Sequence, residues 1–433
     1  MRYSCQHCKF IFDLKRLPTT LACALAFFVA LPIAAQTFTV IHNFSGGQDG
    51  SQPVAGLTID KAGNFYGTAS AGGAGYGTVF KLTHKNSGWT FNPLYSFTGG
   101  NEGASPKAPV ALGANGTLYG TTAGGGNDGF GTVYNLKPSA VACKSALCPW
   151  RETVLYGFRG LPDGAYPESG VVFDQAGNIY GTTQNGGTGD CDIYHLLGCG
   201  IVYELTASGG GWTENVLYSF QQNVGAWPDG RIVFDKAGNL YGVCVFCGPI
   251  FCESGIGVGG SVYELSPSGS GWTAQALYGF TDGSDGGFPR GGLIFDASGN
   301  LYGTTEGNGS GGGGTVFELM AASGSWAFST IYSFSGSLAG PLDNLAMDAA
   351  GNLYGTTYGD GIYRYGSVFK LTPSNGSWTY SSLHDFTGGS DGAFPYSDVV
   401  FDGDGNLYGT ASEGGNLNCG APGGCGVVWK ITP

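Results

Sequence analysis

Asp296-Ala297-Ser298-Gly299-Asn300-Leu301-Tyr302-Gly303-Thr304-Thr305 decides the fold, because close variants of it recur along the chain. The tyrosines of the seven copies are Tyr66, Tyr119, Tyr180, Tyr241, Tyr302, Tyr354 and Tyr408, spaced by 53, 61, 61, 61, 52 and 54 residues. A fixed period of roughly 50–60 residues made of short β-type runs marks a repeat architecture.

Working outward from that phrase, residues 292–296 are a short apolar run that ends in the Asp-Ala-Ser-Gly-Asn turn. The run at 301–305 follows, then a glycine-rich loop, then 314–319, and finally 326–334, which opens on Trp326. These are four β-rich runs divided by Gly, Asn, Asp and Ser turns, with no helical periodicity. Four antiparallel strands per repeat predict an all-β fold, a seven-bladed β-propeller whose ring leaves only short edges. The runs at the two ends support closure. The segment 37–44 reads as a fourth strand alone, and 426–432 as a third strand, so the N-terminal strand is expected to complete the last blade. A linear solenoid would need polar caps at both ends, and neither end reads as one.

Residues 1–35 read as an export segment and residues 36–433 as the propeller. Arg2, Lys9, Lys15 and Arg16 precede an apolar run at 21–35, and Ile33-Ala34-Ala35 offers small residues for cleavage before Gln36. Fifteen apolar residues fall short of the roughly 20 needed to span a bilayer. A lipoprotein reading through Cys23 is weaker, since a polar stretch precedes it. The expected location is secreted, periplasmic or at the cell surface, with no membrane span after cleavage. The remaining chain holds 14 Lys+Arg against 30 Asp+Glu, a formal charge of −16. Such a surface repels phosphate backbones, which argues against a nucleic-acid partner. The 82 glycines carry no three-residue period, and 14% aromatic residues argue against disorder.

Six of the eight tryptophans (Trp89, Trp150, Trp212, Trp272, Trp326, Trp378) stand eight residues before the Phe of the fourth strand. That regularity predicts packing between blades. His42 and His384 replace the repeat's tyrosine on the fourth strand and read as structural substitutions.

The phrases Gly-Asn-Leu-Tyr-Gly-Thr-Thr, Gly-Thr-Val-Phe-Lys-Leu and Leu-Tyr-Ser-Phe with Asp-Gly-Ala-x-Pro resemble the choice-of-anchor tandem-repeat GloVer proteins over nearly all of residues 37–433. The resemblance implies an exported bacterial repeat protein, often held at the surface by a C-terminal anchor. No hydrophobic tail precedes Pro433 here, which puts surface attachment in doubt. The family brings no established activity and supplies no catalytic residues.

Nine cysteines follow the export segment, and all lie where a loop is lengthened. From the repeat Tyr to the central Val of the third strand, four blades use 13 or 14 residues. The other three use 22, 21 and 20 and carry Cys191/Cys199, Cys244/Cys247/Cys252 and Cys419/Cys425. The long step from Leu136 to Trp150 holds Cys143 and Cys148. In an exported protein these read as local disulfides that limit loop entropy: Cys191–Cys199, Cys419–Cys425, Cys143 with Cys148, and Cys252 with either Cys244 or Cys247. Cys244-x-x-Cys247 has neither a second CxxC nor a nearby His to suggest zinc or redox work.

Two sets of loops are expected on one face, those between strands two and three and those linking consecutive blades. In the links, Asp49, Glu102, Asp163, Asp285 and Asp391 stand four residues before a proline, with Val224 and Ser337 in the remaining blades. Tyr166, Trp227, Phe288 and Phe394 immediately precede it. Carboxylates beside aromatics suit a sugar, whose hydroxyls bond the acids while its ring stacks. They also suit a divalent cation such as structural calcium, or a protein partner. The plainer reading is that Asp-Gly is turn chemistry and the aromatics cover the hub. No organic cofactor motif is present.

His42, His84, His195 and His384 are scattered, and there is no nucleophile elbow. Catalytic acids should depart from the repeat, which singles out Asp190, Asp192 and Asp360. The expected function is a non-catalytic binding or scaffold module for extracellular carbohydrate or protein. The alternative is a carbohydrate-active hydrolase or lyase.

Overall fold

The apolar run at 292–296 contributes only the two-residue strand Ile294–Phe295, yet this strand is the inner edge of its sheet. Leu301–Thr305, Gly312–Ala322 and Ser325–Ser335 follow outward in antiparallel order. The computed structural model describes residues 36–85, 88–138, 150–191, 198–248, 259–269, 271–322, 324–336 and 340–433. Within them seven four-stranded sheets repeat this pattern, one for each repeat tyrosine, and they are numbered here as blades 1–7. Thr37–Asn43 pairs antiparallel with Val427–Thr432, so the first strand does complete blade 7. The expected export segment, residues 1–35, and Cys143, Cys148 and Cys252 lie outside the described residues.

Several residues of the repeat phrase have a definite physical task. Asp296 folds the turn: its Oδ1 accepts the backbone N–H groups of Ser298 and Asn300 at 2.8 Å, and its Oδ2 accepts the Asn300 amide at 2.8 Å. The Tyr302 hydroxyl lies within hydrogen-bond reach of the same carboxylate and of Glu318. Asp60, Asp174, Asp235, Asp348 and Asp402 do likewise in five other blades. Blade 2 has Gly113 instead, where a Cβ would lie 2.4 Å from the Tyr119 ring. Gly303 makes room for the third strand, since a Cβ there would meet the Phe317 ring at 2.5 Å. The next threonine reaches into the following blade. Thr68, Thr121, Thr304, Thr356 and Thr410 donate to the carbonyls of Ala108, Ser169, Asp343, Ser397 and Ala55.

The core is divided into seven clusters, each shared by two neighbouring blades. The cluster of Phe44, Leu57, Phe65 and Phe80 with Tyr408 and Val428 joins blade 1 to blade 7. The tryptophans sit at these seams: Trp326 lies 6.0 Å from Tyr241, Trp378 6.3 Å from Tyr302 and Trp89 5.8 Å from Tyr408, ring centre to ring centre. Apolar surface taken out of water contributes about 25 cal/mol per Å², and these partly buried tryptophans add to it at each junction, so the blades are held together by their seams.

Cys191–Cys199 and Cys419–Cys425 are disulfides with Cα separations of 5.1 and 6.1 Å. Cys247 is disulfide-bonded, while Cys244 is a buried free thiol. Among the described residues no helix is long and apolar enough to cross a membrane.

Candidate binding face and axial cavity

The loops that link blades and the loops between strands two and three share a face, as bridges between Ser51 and Ala71, Ala104 and Gly124, Gly287 and Gly307, and Ala393 and Glu413 require. The residue before each link proline holds this face together. Tyr166, Trp227, Phe288 and Phe394 adopt φ of 58°, 59°, 59° and 51°, a left-handed conformation that is strained for bulky residues. Backbone bonds on both sides enforce it. Phe288 N–H donates to Gly259 of the preceding blade at 2.9 Å, and its carbonyl accepts Glu306 N–H at 3.1 Å. Gln52 and Ser105 hold the same conformation with φ of 55°. The backbone therefore does not demand an aromatic there, and the four rings are additions to the staple. Phe394 stacks on Tyr358 at 4.8 Å, Trp227 lies 5.1 Å from Phe246, and Tyr166 is exposed.

The five link acids brace their own turns. Asp285 Oδ2 accepts the Tyr278 hydroxyl at 2.9 Å and Thr281 N–H at 2.8 Å. Glu102 accepts Tyr95 and Thr98 N–H, both at 2.5 Å. Asp163 accepts Tyr156 at 3.0 Å and Arg159 N–H at 3.1 Å. In Asp49 and Asp391 the tyrosine's place is taken by His42 at 3.2 Å and His384 at 3.1 Å. Burial works against ionisation of Asp49, Glu102 and Asp285. Hydrogen bonds from His42 and Ser45, from Tyr95 and Thr98, and from Thr281 and Tyr278 outweigh it, holding the carboxyls below their ordinary values.

Charge that the repeat does not explain gathers on the axis instead. A cavity of about 310 Å³ is lined chiefly by the three residues that follow each link proline. Lys107 of blade 2 pairs with Glu168 of blade 3 at 2.7 Å. Arg290 of blade 5 bonds Glu306 at 2.5 Å and Asp229 of blade 4 at 3.4 Å, and lies 5.8 Å over the Trp227 ring. Asp398 of blade 7 accepts the backbone N–H of Asn344 at 3.0 Å and its side-chain amide at 2.7 Å. Asp343 of blade 6 is different, since its enclosed Oδ2 has no hydrogen-bond partner among the described residues. Burial, then the neighbouring Asp398 and Asp229, push the Asp343 carboxyl well above its ordinary value. Burial likewise raises Asp229 and Asp398, against the opposing pull of Arg290 and Arg231 respectively. The hub is tight beneath these side chains: a Cβ on Gly291 would lie 2.3 Å from the Asp343 carbonyl, and one on Gly292 2.2 Å from Asn344 Oδ1.

The axial residues escaped sequence reasoning, which sought exceptional acids in the loops between strands two and three. Asp190 and Asp360 occupy those loops in blades 3 and 6, and Asp192 lies outside the described residues. The missed signal was the run of charges directly after the prolines, Lys107, Glu168, Asp229, Arg231, Arg290, Asp343 and Asp398, where blade 1 has Val54-Ala55-Gly56.

The Gloeobacter/Verrucomicrobia repeat model matches residues 26–244, 151–340 and 250–433. No curated protein matches the chain. Among solved structures, a putative oxidoreductase (glucose dehydrogenase) of Thermus thermophilus is similar at 13% identity and a TM-score of 0.42, over 92% of this chain and 100% of its own. A putative gluconolactonase is similar at 15% identity and a TM-score of 0.35, over 65% and 77%. A protein from Lactobacillus plantarum is similar at 13% identity and a TM-score of 0.48, over 77% and 84%.

Proposed function

The chain belongs to the Gloeobacter/Verrucomicrobia repeat family, and from that premise we propose that it is an exported, non-catalytic binding module for extracellular carbohydrate. The ligand seats at the axial cavity and against the aromatic rim. One observation carries the reading. The turn aspartate, the tyrosine and the threonine staple recur from blade to blade, whereas the residues after the link prolines change with every blade and line one cavity. The staple takes a backbone carbonyl whatever the side chain, from Ala55 and Ala108 to Asp343. Charged groups are thus placed on the axis without any need of the fold.

A concave site with a few convergent polar groups and nearby rings suits a small polyhydroxylated ligand better than a flat protein surface. Tyr166, Trp227, Phe288 and Phe394 supply the stacking faces, and the link acids keep those loops in shape. Export is supported by the apolar segment 21–35 and by disulfides such as Cys191–Cys199 and Cys419–Cys425, which form in oxidising compartments.

The test is retention of the protein 36–433 on a panel of insoluble and immobilised polysaccharides, with calcium and with chelator. Retention on one glycan, reduced several-fold by Tyr166→Ala and by Phe394→Ala, is the expected result. Release of reducing ends, abolished by a single Asp→Asn change, would replace binding with hydrolase or lyase activity. No retention in either condition would move the partner from carbohydrate to protein. N-terminal sequencing of exported material should begin at Gln36.

A further inference from the structure

The axial cavity has two unlike sides. The first residue after the link proline is Val54 in blade 1, Leu342 in blade 6 and Tyr396 in blade 7, which makes one continuous apolar arc. In blades 2–5 the same position holds Lys107, Glu168, Asp229 and Arg290. Each of these has an ionic partner, Lys107 with Glu168 at 2.7 Å and Arg290 with Asp229 at 3.4 Å, and Lys107, Glu168 and Arg290 stay partly open to solvent. The apolar arc leads outward at the seam of blades 6 and 7. There Tyr396, Tyr358, Phe394 and Tyr365 form an unbroken row that starts in the cavity, with successive ring centres 5.7, 4.8 and 5.6 Å apart. The four corresponding positions of every other seam hold at most two rings; between blades 3 and 4 they are Asp229, Gln184, Trp227 and Cys199. The row is an exception to the repeat.

Its rings are reachable and fixed in place. Tyr358, Phe394 and Tyr396 are half-buried, while Tyr365 is 40% exposed beside Tyr363 and Ile362, at 54% and 78%. Phe394 N–H donates to the Tyr365 carbonyl at 2.7 Å. The Tyr365 ring lies over Gly388, where a Cβ would meet it at 2.8 Å.

We infer that a neutral glycan lies along this seam with its terminal unit in the axial cavity, so that the protein recognises chain ends. This rests on the carbohydrate reading above and names how the glycan lies and what charge it carries. The terminal ring sets a C–H face against Tyr396 and Leu342 and turns its hydroxyls to the paired arc. A hydroxyl both donates and accepts, so it answers a cation and a carboxylate alike without separating them. A uronic acid or an amino sugar brings a charge where each ion of the arc already has its partner. The volume of about 310 Å³ lies at the small end of the roughly 300–1,000 Å³ usual for such sites, and suits one sugar ring. The next units pass over Tyr358, Phe394 and Tyr365. Tyrosine joins an apolar body to a polar tip, which matches a glycan that is apolar on its ring faces and polar at its edges. Rings already fixed lose little freedom on binding. The glycan ends in the cavity because the charged arc closes the far side of the axis. A proline-rich peptide also suits a row of rings, but its charged terminus finds no unpaired ion on that arc.

The experiment is calorimetric titration of the protein 36–433 with cello-, malto-, xylo- and manno-oligomers of two to six units. A glycan on an insoluble surface also meets Tyr166, Trp227 and Phe288, so soluble oligomers isolate this seam. One ladder should bind, its affinity rising with each unit up to four and level beyond, and a bulky group on one of its two ends should abolish binding. Tyr365→Ala, a change at an exposed ring, should weaken the tetramer about fivefold and leave the dimer unchanged, since the dimer ends short of that ring. Affinity that climbs steadily through six units, or that ignores a block on either end, would overturn chain-end recognition. Tetramer affinity unchanged in both Tyr358→Ala and Tyr365→Ala would overturn the path along this seam. Tighter binding of glucuronic acid or glucosamine oligomers than of every neutral ladder would overturn the neutral class, and displacement of the tetramer by a proline decapeptide at lower concentration would overturn the occupant. If no ladder binds, the inference fails. Retention of the same preparation on the polysaccharide panel would then leave the carbohydrate reading standing, and its absence would end both.

Discussion

The Asp391 carboxylate sits 3.1 Å from His384 Nε2, in the place where Asp285 meets the Tyr278 hydroxyl at 2.9 Å. An imidazole and a phenol do the same work because each presents one polar atom at the same height on the fourth strand. The acid also accepts Thr387 N–H at 3.0 Å, so it ties the strand to the link loop. The Thr387 hydroxyl donates to the same carboxylate, so Asp391→Ala removes three bonds and leaves their donors unanswered. It should cost about 1–3 kcal/mol in denaturant unfolding, with carbohydrate retention per folded molecule unchanged. Lost retention at undiminished stability would show instead that the acid faces the ligand.

Trp326 joins blade 5 to the Tyr241 ring of blade 4 at a centroid distance of 6.0 Å, inside the cluster that holds Phe280 and Phe317. Trp326→Ala should destabilise by about 2 kcal/mol, below the roughly 3–5 kcal/mol of a fully enclosed ring, because the seam ring is only partly buried. Trp227→Ala, at the rim, should cost clearly less and act on binding. Equal losses of stability from both changes would contradict this division.

Much of the fold was legible because the repeat writes each structural role seven times. The aspartate-bearing turn, the seam tryptophans and a closing strand within 37–44 could be read from spacing alone, since each is a local or nearest-neighbour requirement. The link loops and the loops between strands two and three fall on one face for the same reason. The axial site was not legible, because it is assembled from residues such as Glu168, Asp229, Arg290, Asp343 and Asp398, which lie far apart in sequence and differ in each blade. Their convergence depends on ring closure. A single charged residue after a proline also looks like ordinary loop polarity until the ring brings its counterparts opposite.

Cys244 is a buried thiol on the second strand of blade 4, and burial, despite a hydrogen bond involving Ser261, raises its pKa well above the ordinary value. Thiolate is the reactive form. Alkylation of Cys244 should therefore be undetectable in the native protein and complete after unfolding, as read by mass spectrometry of its peptide. Replacing Cys191 and Cys199 by serine opens a short loop and should cost about 2–3 kcal/mol. Rapid native alkylation of Cys244 would mean that the blade opens locally.

The last prediction concerns Glu152 and Glu214, which take a position on the fourth strand that other blades give to a stacked ring. Phe91 stacks on His42 at 4.0 Å, Phe328 on Tyr278 at 4.0 Å and Phe38 on His384 at 3.6 Å. In blades 2 and 3 a glutamate stands there, its Oε1 without a hydrogen-bond partner among the described residues. Burial first, and then Glu102 or Asp163 respectively, push both carboxyls up to about 7. The unfolded value is about 4.3, so between these pH values the folded chain binds more protons than the unfolded one. The stability contributed by the protonated carboxyls is complete below about pH 4.3 and is lost as pH rises through about 7. Glu152→Gln with Glu214→Gln should flatten the fall of Tm across that window and raise stability above it. The gain should be about 1 kcal/mol per site, since both carboxyls are partly open to solvent, which screens them. Parallel Tm–pH curves for the two proteins would show that solvent reaches these carboxyls and that the exchange of ring for glutamate carries no electrostatic cost.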